Sequence, residues 1–429
     1  MSEVTFTSWG GANSIGPSCH VLTFGSYRVG IDYGAGIHDR DPIEPQHDGP
    51  LDAIFLTHGH RDHVGMFPRA LRRWPTAACW ATKETKELAD WIWRDGLSIE
   101  EREGREPSFE LEDTRRAFRR LRTMTPGGVI HLREDLSVTP FSAGHILGAV
   151  GLIFQYKGER YIATGDINLR DHGFISRAAV PEFERTRLLI RESTYAGIFP
   201  SQTRPEVEED FVSSVIEVLD QGGRVLIPAL AIDRMPEIYQ LLCSVGIDQQ
   251  WPVWVIGGAI PSEIYRRYAP DAKMLIGMQR FANPGHQYAI RKSGGAMVVL
   301  ASSGMLAPNT PSYVWAREVL PESDAAIFMV NWQDPCMPGG VILKAAQDNR
   351  VILKSKDAPP VAIARACMVR RFDFSSHAKE DEMQEIERRL NPDIIVHVHG
   401  ENDRIDAFLE TAPDRPRRVK AEVGKVIEV

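Results

Sequence analysis

The sequence has little of what small secreted or membrane-bound chains depend on. Its five cysteines (Cys19, Cys79, Cys243, Cys336 and Cys367) lie far apart, with no C-x-x-C pair. That spacing excludes a zinc ribbon and a secreted disulfide framework. The longest apolar stretches, such as 325–330, fall well short of the roughly 18 residues that suggest a membrane span. The opening Met-Ser-Glu-Val-Thr-Phe lacks the basic and apolar regions of a signal peptide, so a cytoplasmic protein with no membrane partner is expected. Internal repeats, low-complexity linkers and long blocks of one charge sign are also missing.

What remains is an ordinary globular composition. The 429 residues carry 50 Lys+Arg against 58 Asp+Glu, a formal charge of −8, with 43% hydrophobic and 25% charged residues. These shares lie close to globular averages, so enough apolar surface exists to offset chain entropy and a disordered or fibrous chain is excluded. The acidic balance rules out a simple polybasic protein. It leaves room for a nucleic-acid enzyme, which needs only a local basic channel.

Apolar-rich runs at 4–8, 20–24, 27–32 and 53–57 read as strands, with Gly25-Ser26 as a hairpin turn. The charged stretch 83–122 reads as helical, with Leu88, Ile92, Phe118 and Leu121 as its buried points. Strands resume at 137–142, 152–156 and 160–164. After Glu192 the pattern changes. Val207, Phe211, Val215 and Val218 repeat at helical spacing, and strands at 224–227, 253–256, 297–301 and 325–330 alternate with helices, as in a mostly parallel sheet. A helix at 379–390 and a strand at 393–398 follow. The composition suggests one domain inserted into another.

The densest chemistry is Thr57-His58-Gly59-His60-Arg61-Asp62-His63, directly after a buried strand. Alternate residues on an extended turn project to one side, so this loop can wrap around a metal. Imidazole and carboxylate donors suit zinc or manganese, and the lack of thiolate argues against an iron–sulfur site. Asp32, His145 and Asp166 also end apolar strands beside glycines, where the backbone can approach a shared site closely.

In this ordered set the sequence resembles the metallo-β-lactamase superfamily, an αββα sandwich with metals at one sheet edge. The resemblance implies that His58, His60 and His145 hold one metal, that Asp62 and His63 hold a second, and that Asp166 bridges them. Asp32 would orient the ligands from behind. Two zinc ions, with manganese as the substitute, would activate a bridging water and stabilise attacking and leaving oxygens.

Three later segments resemble the β-CASP nucleases, which carry an α/β domain inserted into the lactamase fold. Glu192 lies in Arg191-Glu192-Ser193-Thr194-Tyr195, His377 in Phe374-Ser375-Ser376-His377-Ala378, and His399 in Val398-His399-Gly400-Glu401. By resemblance His399 completes the second metal's ligands, and His377 is the general acid, positioned by Glu192, with Asp62 also in the catalytic set. A histidine suits that task because its ordinary pKa, about 6.5, lies near working pH. His397 reads as structural. The expected domains are a metallo-β-lactamase domain on 1–195 and 358–429, with the β-CASP domain on 196–357.

The match extends through Gly10-Gly11-Ala12-Asn13-Ser14-Ile15-Gly16, through Ile227-Pro228-Ala229-Leu230-Ala231-Ile232-Asp233-Arg234, and through Ala301-Ser302-Ser303-Gly304-Met305. Departures also stand out. Ser14 replaces the usual acid, Asp233 the usual glycine and Ser303 the usual proline, and Asn331-Trp332-Gln333 stands in place of GYQ. The loop 331–340 lacks the small polar and basic groups that would touch phosphate, which implies altered strand recognition. Ser302, Ser303, Asn331 and Trp332 are the candidate substrate contacts. Tyr195, Phe199 and Trp332 are candidate stacking platforms. Two basic clusters, Arg115–Arg122 and Arg415–Lys420, offer a phosphate track or solvated faces.

The resemblance implies a ribonuclease acting on RNA by a two-metal hydroxide mechanism, endonucleolytic, 5′-to-3′ exonucleolytic or both. Histidine at the third motif marks RNA-processing members and valine DNA-repair members, so DNA is the alternative substrate. A non-catalytic scaffold subunit is the remaining alternative, opposed by the intact ligand set. With no KH-like flanking domain or C-terminal extension in view, a near-minimal nuclease core is expected, with homo-oligomerisation left open.

Overall fold

Period-two alternation in the N-terminal strands gives each of them two apolar faces, so the sheet they form is covered on both sides. In strand Ala53–Phe55 and the residue after it, Ala53 and Phe55 join one hydrophobic cluster while Ile54 and Leu56 join another. Strand Cys19–Phe24 divides the same way, with Leu22 and Phe24 against Cys19 and Val21. The computed structural model describes residues 3–37, 44–269, 284–353 and 360–429. The chain divides into two compact units, Met1–Pro200 with Ser376–Val429, and Ser201–Ser375.

The first unit holds two seven-stranded sheets. Their facing sides share one core, in which Phe24 meets Phe154 and Tyr161 at centroid distances of 5.9 and 5.4 Å. Helices Phe67–Arg73, Lys83–Arg102 and Leu111–Arg120 cover the outer face of one sheet through Phe67, Leu71, Ala89, Trp93 and Ala117. Helix Glu380–Leu390 lies on the outer face of the other, tied to strand Thr186–Glu192 by ion pairs to Arg191. The result is an α/β/β/α layering.

The helix expected across 83–122 is instead two. Gly104, at φ +64, turns the chain after Arg102, and its N–H bonds to the Glu101 carbonyl; Pro107 then bars re-entry. Leu88 and Leu121 are buried, whereas Ile92 and Phe118 are half-buried against the same core.

The second unit is built on a five-stranded, all-parallel sheet in the order Val253–Ile256, Met297–Ala301, Arg224–Pro228, Ala326–Met329, Met368–Arg371. Helix Arg204–Asp220 buries Val207, Phe211, Val215 and Val218 in the spacing expected. Among the described residues no helix is long and apolar enough to cross a membrane.

Candidate metal centre

Strand pairing carries donors that are distant in sequence to one edge of the first unit. Strands Tyr27–Ile31 and Ala53–Phe55 run parallel, so Asp32 and the His58 loop leave the sheet at the same end. Glu159–Ala163, Thr186–Glu192 and Pro392–Val398 are likewise mutually parallel, which brings Asp166, Glu192 and His399 to one rim. His145 follows strand Leu136–Ser142 through a glycine. Asp32 and His399 both adopt left-handed backbone, at φ 64 and 52. Such strain persists where surrounding structure over-determines it and gathers at functional sites.

Two groups of donors form there, His58, His60, His145 and Asp166 in one and Asp62, His63 and His399 in the other, with Asp166 between them. His58 Nε2 and His145 Nε2 lie 3.1 and 3.2 Å from His60 Nδ1, and 3.4 and 3.7 Å from Asp166 Oδ2. In the other group, His399 Nε2 is 3.3 Å from both His63 Nε2 and Asp62 Oδ2, and His63 Nε2 is 3.4 Å from Asp166 Oδ2. These separations fit a common metal ion. Tetrahedral zinc with bonds of about 2.0–2.1 Å to nitrogen sets its ligands about 3.3–3.4 Å apart. Buried Asp166 Oδ1 has no hydrogen-bond partner and lies 3.5 Å from His399 Nδ1, so the carboxylate keeps acceptor capacity beside these donors.

The ring orientations come from behind the ligands. Asp32 accepts the Thr57 N–H and the Thr57 hydroxyl, each at 2.7 Å, and pairs with His63 Nδ1 at 2.8 Å. Having given its proton to Asp32, the Thr57 hydroxyl can only accept from His58 Nδ1 at 3.1 Å, which leaves His58 Nε2 free as a ligand. His145 Nδ1 donates to the Ser376 carbonyl at 2.9 Å, and Thr194 Oγ1 lies 3.2 Å from His399 Nδ1. Thr57, Thr194 and Ser376 escaped the sequence reading. Only the position of Thr57 beside the histidine loop could have flagged it.

Burial pushes His58 and His145 well below the ordinary histidine value and His60 down to about 4, so all three present lone pairs at neutral pH. Burial pulls His63 the same way, but Asp166, Asp32 and Asp62 outweigh it and hold the ring well above 6.5. Burial favours neutral Asp62, yet His63 and His399 overcome it and keep its pKa at about 2. Asp166 is held well below the ordinary carboxylate value against its own burial, first by His399 and then by His63 and His58. The pocket is anionic at its centre and calls for positive charge.

A second dyad adjoins these donors. His377 Nδ1 lies 3.1 Å from both carboxylate oxygens of Glu192, which also accepts the Ile167 N–H at 3.0 Å. The His377 ring is 4.5 Å from that of His145, centroid to centroid. Burial would lower the His377 pKa, but Glu192 overrides it and raises the ring to about 9, so the imidazole is protonated at neutral pH. His397 stands apart: buried, neutral, bonded through Nδ1 to Ser193 Oγ at 3.1 Å and packed on Phe408.

Ser302, Ser303, Asn331 and Trp332 belong to the second unit, just past the C-terminal ends of strands Met297–Ala301 and Ala326–Met329. Asn331 Oδ1 accepts the Leu230 N–H at 3.2 Å, Ser303 Oγ accepts the Ala307 N–H at 3.1 Å, and the Trp332 side chain is exposed. Asp233, which stands where the family has glycine, adopts φ 69. The basic clusters are partly paired. Arg115 and Arg119 pair with Glu112, Arg116 with Asp113, and Arg418 with Glu387, while Arg120 caps the Pro75 and Ala77 carbonyls.

Residues 31–228 match the family described as Metallo-beta-lactamase superfamily, and residues 362–420 match the Zn-dependent metallo-hydrolase RNA specificity domain. The chain is 28% identical to Ribonuclease TTHA0252 of Thermus thermophilus, over 93% of its own length and 94% of that protein. It is 26% identical to Probable RNase MJ4 of Methanocaldococcus jannaschii, covering 91% and 92%. Against Transcription termination factor FttA of the same organism the identity is 27%, over 94% of this chain and 68% of the relative. Among solved structures, a protein of unknown function from Enterococcus faecalis V583 superposes with a TM-score of 0.60 at 14% identity, covering 99% of this chain, a likeness of fold alone.

Proposed function

Since the chain belongs to the metallo-β-lactamase superfamily and, within it, to the β-CASP RNA nucleases, we propose that it is a metal-dependent ribonuclease whose chemistry is done by the donor cluster of the first unit. The observation that carries this is the convergence of His58, His60, Asp62, His63, His145, Asp166 and His399 beside the His377–Glu192 dyad. The names of the relatives and the RNA specificity domain support RNA as substrate.

We assign His58, His60 and His145 to one zinc ion, Asp62, His63 and His399 to a second, and Asp166 to both, with manganese as the alternative metal. Bound there, a cation pair would supply an activated water and neutralise the charge that develops on phosphate. Asp32 keeps His58 and His63 in ligating orientation. His377, protonated and braced by Glu192, delivers its proton to the departing oxygen of the cleaved diester. On this reading the unit Ser201–Ser375 is the β-CASP domain, and Ser302, Ser303, Asn331 and Trp332 serve the RNA strand.

The test is cleavage of end-labelled RNA and matched DNA by metal-assayed protein, wild type against Asp62→Ala and His377→Ala. His377→Ala is expected to slow RNA cleavage by about 10²–10⁴-fold with metal retained, the usual contribution of a general acid. Unchanged RNA cleavage by pure Asp62→Ala protein overturns the mechanism, and faster turnover of DNA than RNA overturns the substrate.

A further inference from the structure

Strand Thr186–Glu192 ends in two charged residues that face opposite ways. Glu192 reaches His377. Its neighbour Arg191 is wholly buried beneath helix Glu380–Leu390, where no solvent can satisfy a guanidinium. Arg191 pairs there with both carboxylate oxygens of Glu380 and with Glu387. Arg418 holds Glu387 from the other side through bonds of 3.0 and 2.6 Å. Both guanidinium groups lie against Phe408, at 5.1 and 5.5 Å from the ring centroid.

This network touches both halves of the acid dyad without containing either. Arg191 adjoins Glu192, and Glu380 lies three residues beyond His377. Glu380 Oε2 also accepts the Gly197 N–H at 3.1 Å, and the Glu380 N–H bonds to the Ile198 carbonyl at 2.9 Å, which pins the segment that follows Glu192 to the same helix end. On the far side, the Ala378 N–H bonds to the Ile167 carbonyl at 2.6 Å, and the Ile167 N–H bonds to Glu192. The His377 backbone is therefore clamped between two anchors, one of which is an ion pair.

Stability alone does not call for charge at this place. Apolar side chains of similar volume usually serve a buried position as well or better, because desolvating two ions costs several kcal/mol. A bidentate guanidinium–carboxylate pair offers directional registry instead. We propose that Arg191 and Glu380 are positioning residues for proton delivery: their pair sets the start of helix Glu380–Leu390 against strand Thr186–Glu192, and thereby holds His377 within reach of both Glu192 and the leaving oxygen. The proposal rests on the reading of His377 as the general acid.

The experiment separates steps that need a proton from steps that do not. Holoprotein carrying Arg191→Met, and the paired Arg191→Met/Glu380→Met, is assayed on RNA and on bis(p-nitrophenyl) phosphate, whose nitrophenolate leaves unprotonated, with His377→Ala alongside. The double variant guards against misfolding, since it removes both charges and leaves Glu387 paired with Arg418. The expected result is a fall in kcat on RNA of about 10–100-fold, the scale of a misplacement near 1 Å, with KM and bound metal unchanged and the nitrophenyl ester hydrolysed at the wild-type rate. Equal losses on both substrates, or full RNA cleavage by the double variant, overturn the positioning role. If His377→Ala also fails to distinguish the substrates, the acid assignment falls and this proposal with it; a split in His377→Ala alone removes only the proposal.

Discussion

At the scale of single residues, one carboxylate orients proposed ligands in both donor groups. Asp32 fixes His58 through Thr57 and His63 directly, so its two oxygens determine which ring nitrogens face the other donors. An Asp32→Asn side chain keeps the shape but turns one acceptor into a donor, which must confront either the Thr57 N–H or the His63 Nδ1–H. Outer-shell losses of this kind cost about 10–100-fold in metal affinity. Zinc titration against a chromogenic chelator should register that loss, and unchanged affinity would show that the ligands orient themselves. Glu192 makes a different claim. It holds His377 at about 9 against burial; the proposed acid must be protonated, so activity is expected to fall as pH rises through the ring's pKa. Removing the charge in Glu192→Gln leaves only Asp166 and Asp62 to oppose burial and moves the alkaline limb of the kcat profile to lower pH. A limb that stays in place would give the proton to another group.

At the scale of elements, the histidine loop is held by backbone rather than by its own sequence. The Ser18 N–H bonds to the Asp62 carbonyl at 2.8 Å, and the Tyr33 N–H to that of His63 at 2.9 Å, so the chain after Asp32 lies directly under the loop. Gly34 is the point of closest approach: a Cβ built there would stand 1.6 Å from the Asp62 carbonyl oxygen. Gly34→Ala must therefore push the loop out. It should destabilise the fold by about 1–3 kcal/mol, the range for overpacking, and lower bound metal as well. Denaturant melts paired with metal analysis check it, and a variant with wild-type metal content would refute the packing argument. The loop itself was legible because its donors are rare residue types at short spacing. The groups behind it were not, because Thr57, Thr194 and Ser376 are common polar residues whose roles arise only from contacts across the fold. The break between helices Lys83–Arg102 and Leu111–Arg120 was within reach, since Gly104 and Pro107 stand in plain view within the charged stretch that reads as helical.

At the scale of the whole molecule, strands were readable one by one but their order was not, since alternation reports a strand's faces and says nothing of its neighbours. The pairing of Thr186–Glu192 with Pro392–Val398 is the consequential case, because it brings His399 to residues more than three hundred positions earlier. Every proposed metal ligand lies in the unit Met1–Pro200 with Ser376–Val429, and His399 is the one contributed by its C-terminal segment. Metal held by this proposed set would tie that segment to the loop at 58–63, while the second unit has a hydrophobic core of its own. At free metal about 1,000-fold above the dissociation constant, binding adds about 4 kcal/mol to the state that holds it. In a unit of this size that corresponds to a rise in Tm of about 10 °C. Chelation should therefore lower the melting transition of the first unit and speed amide exchange at 58–66, 164–168 and 393–401, while amides in strands Arg224–Pro228 and Met297–Ala301 keep their protection. Hydrogen exchange read by peptide makes the comparison within one sample. Equal loss of protection in both units, or none in either, would mean that these ligands do not join the two ends of the first unit through a metal.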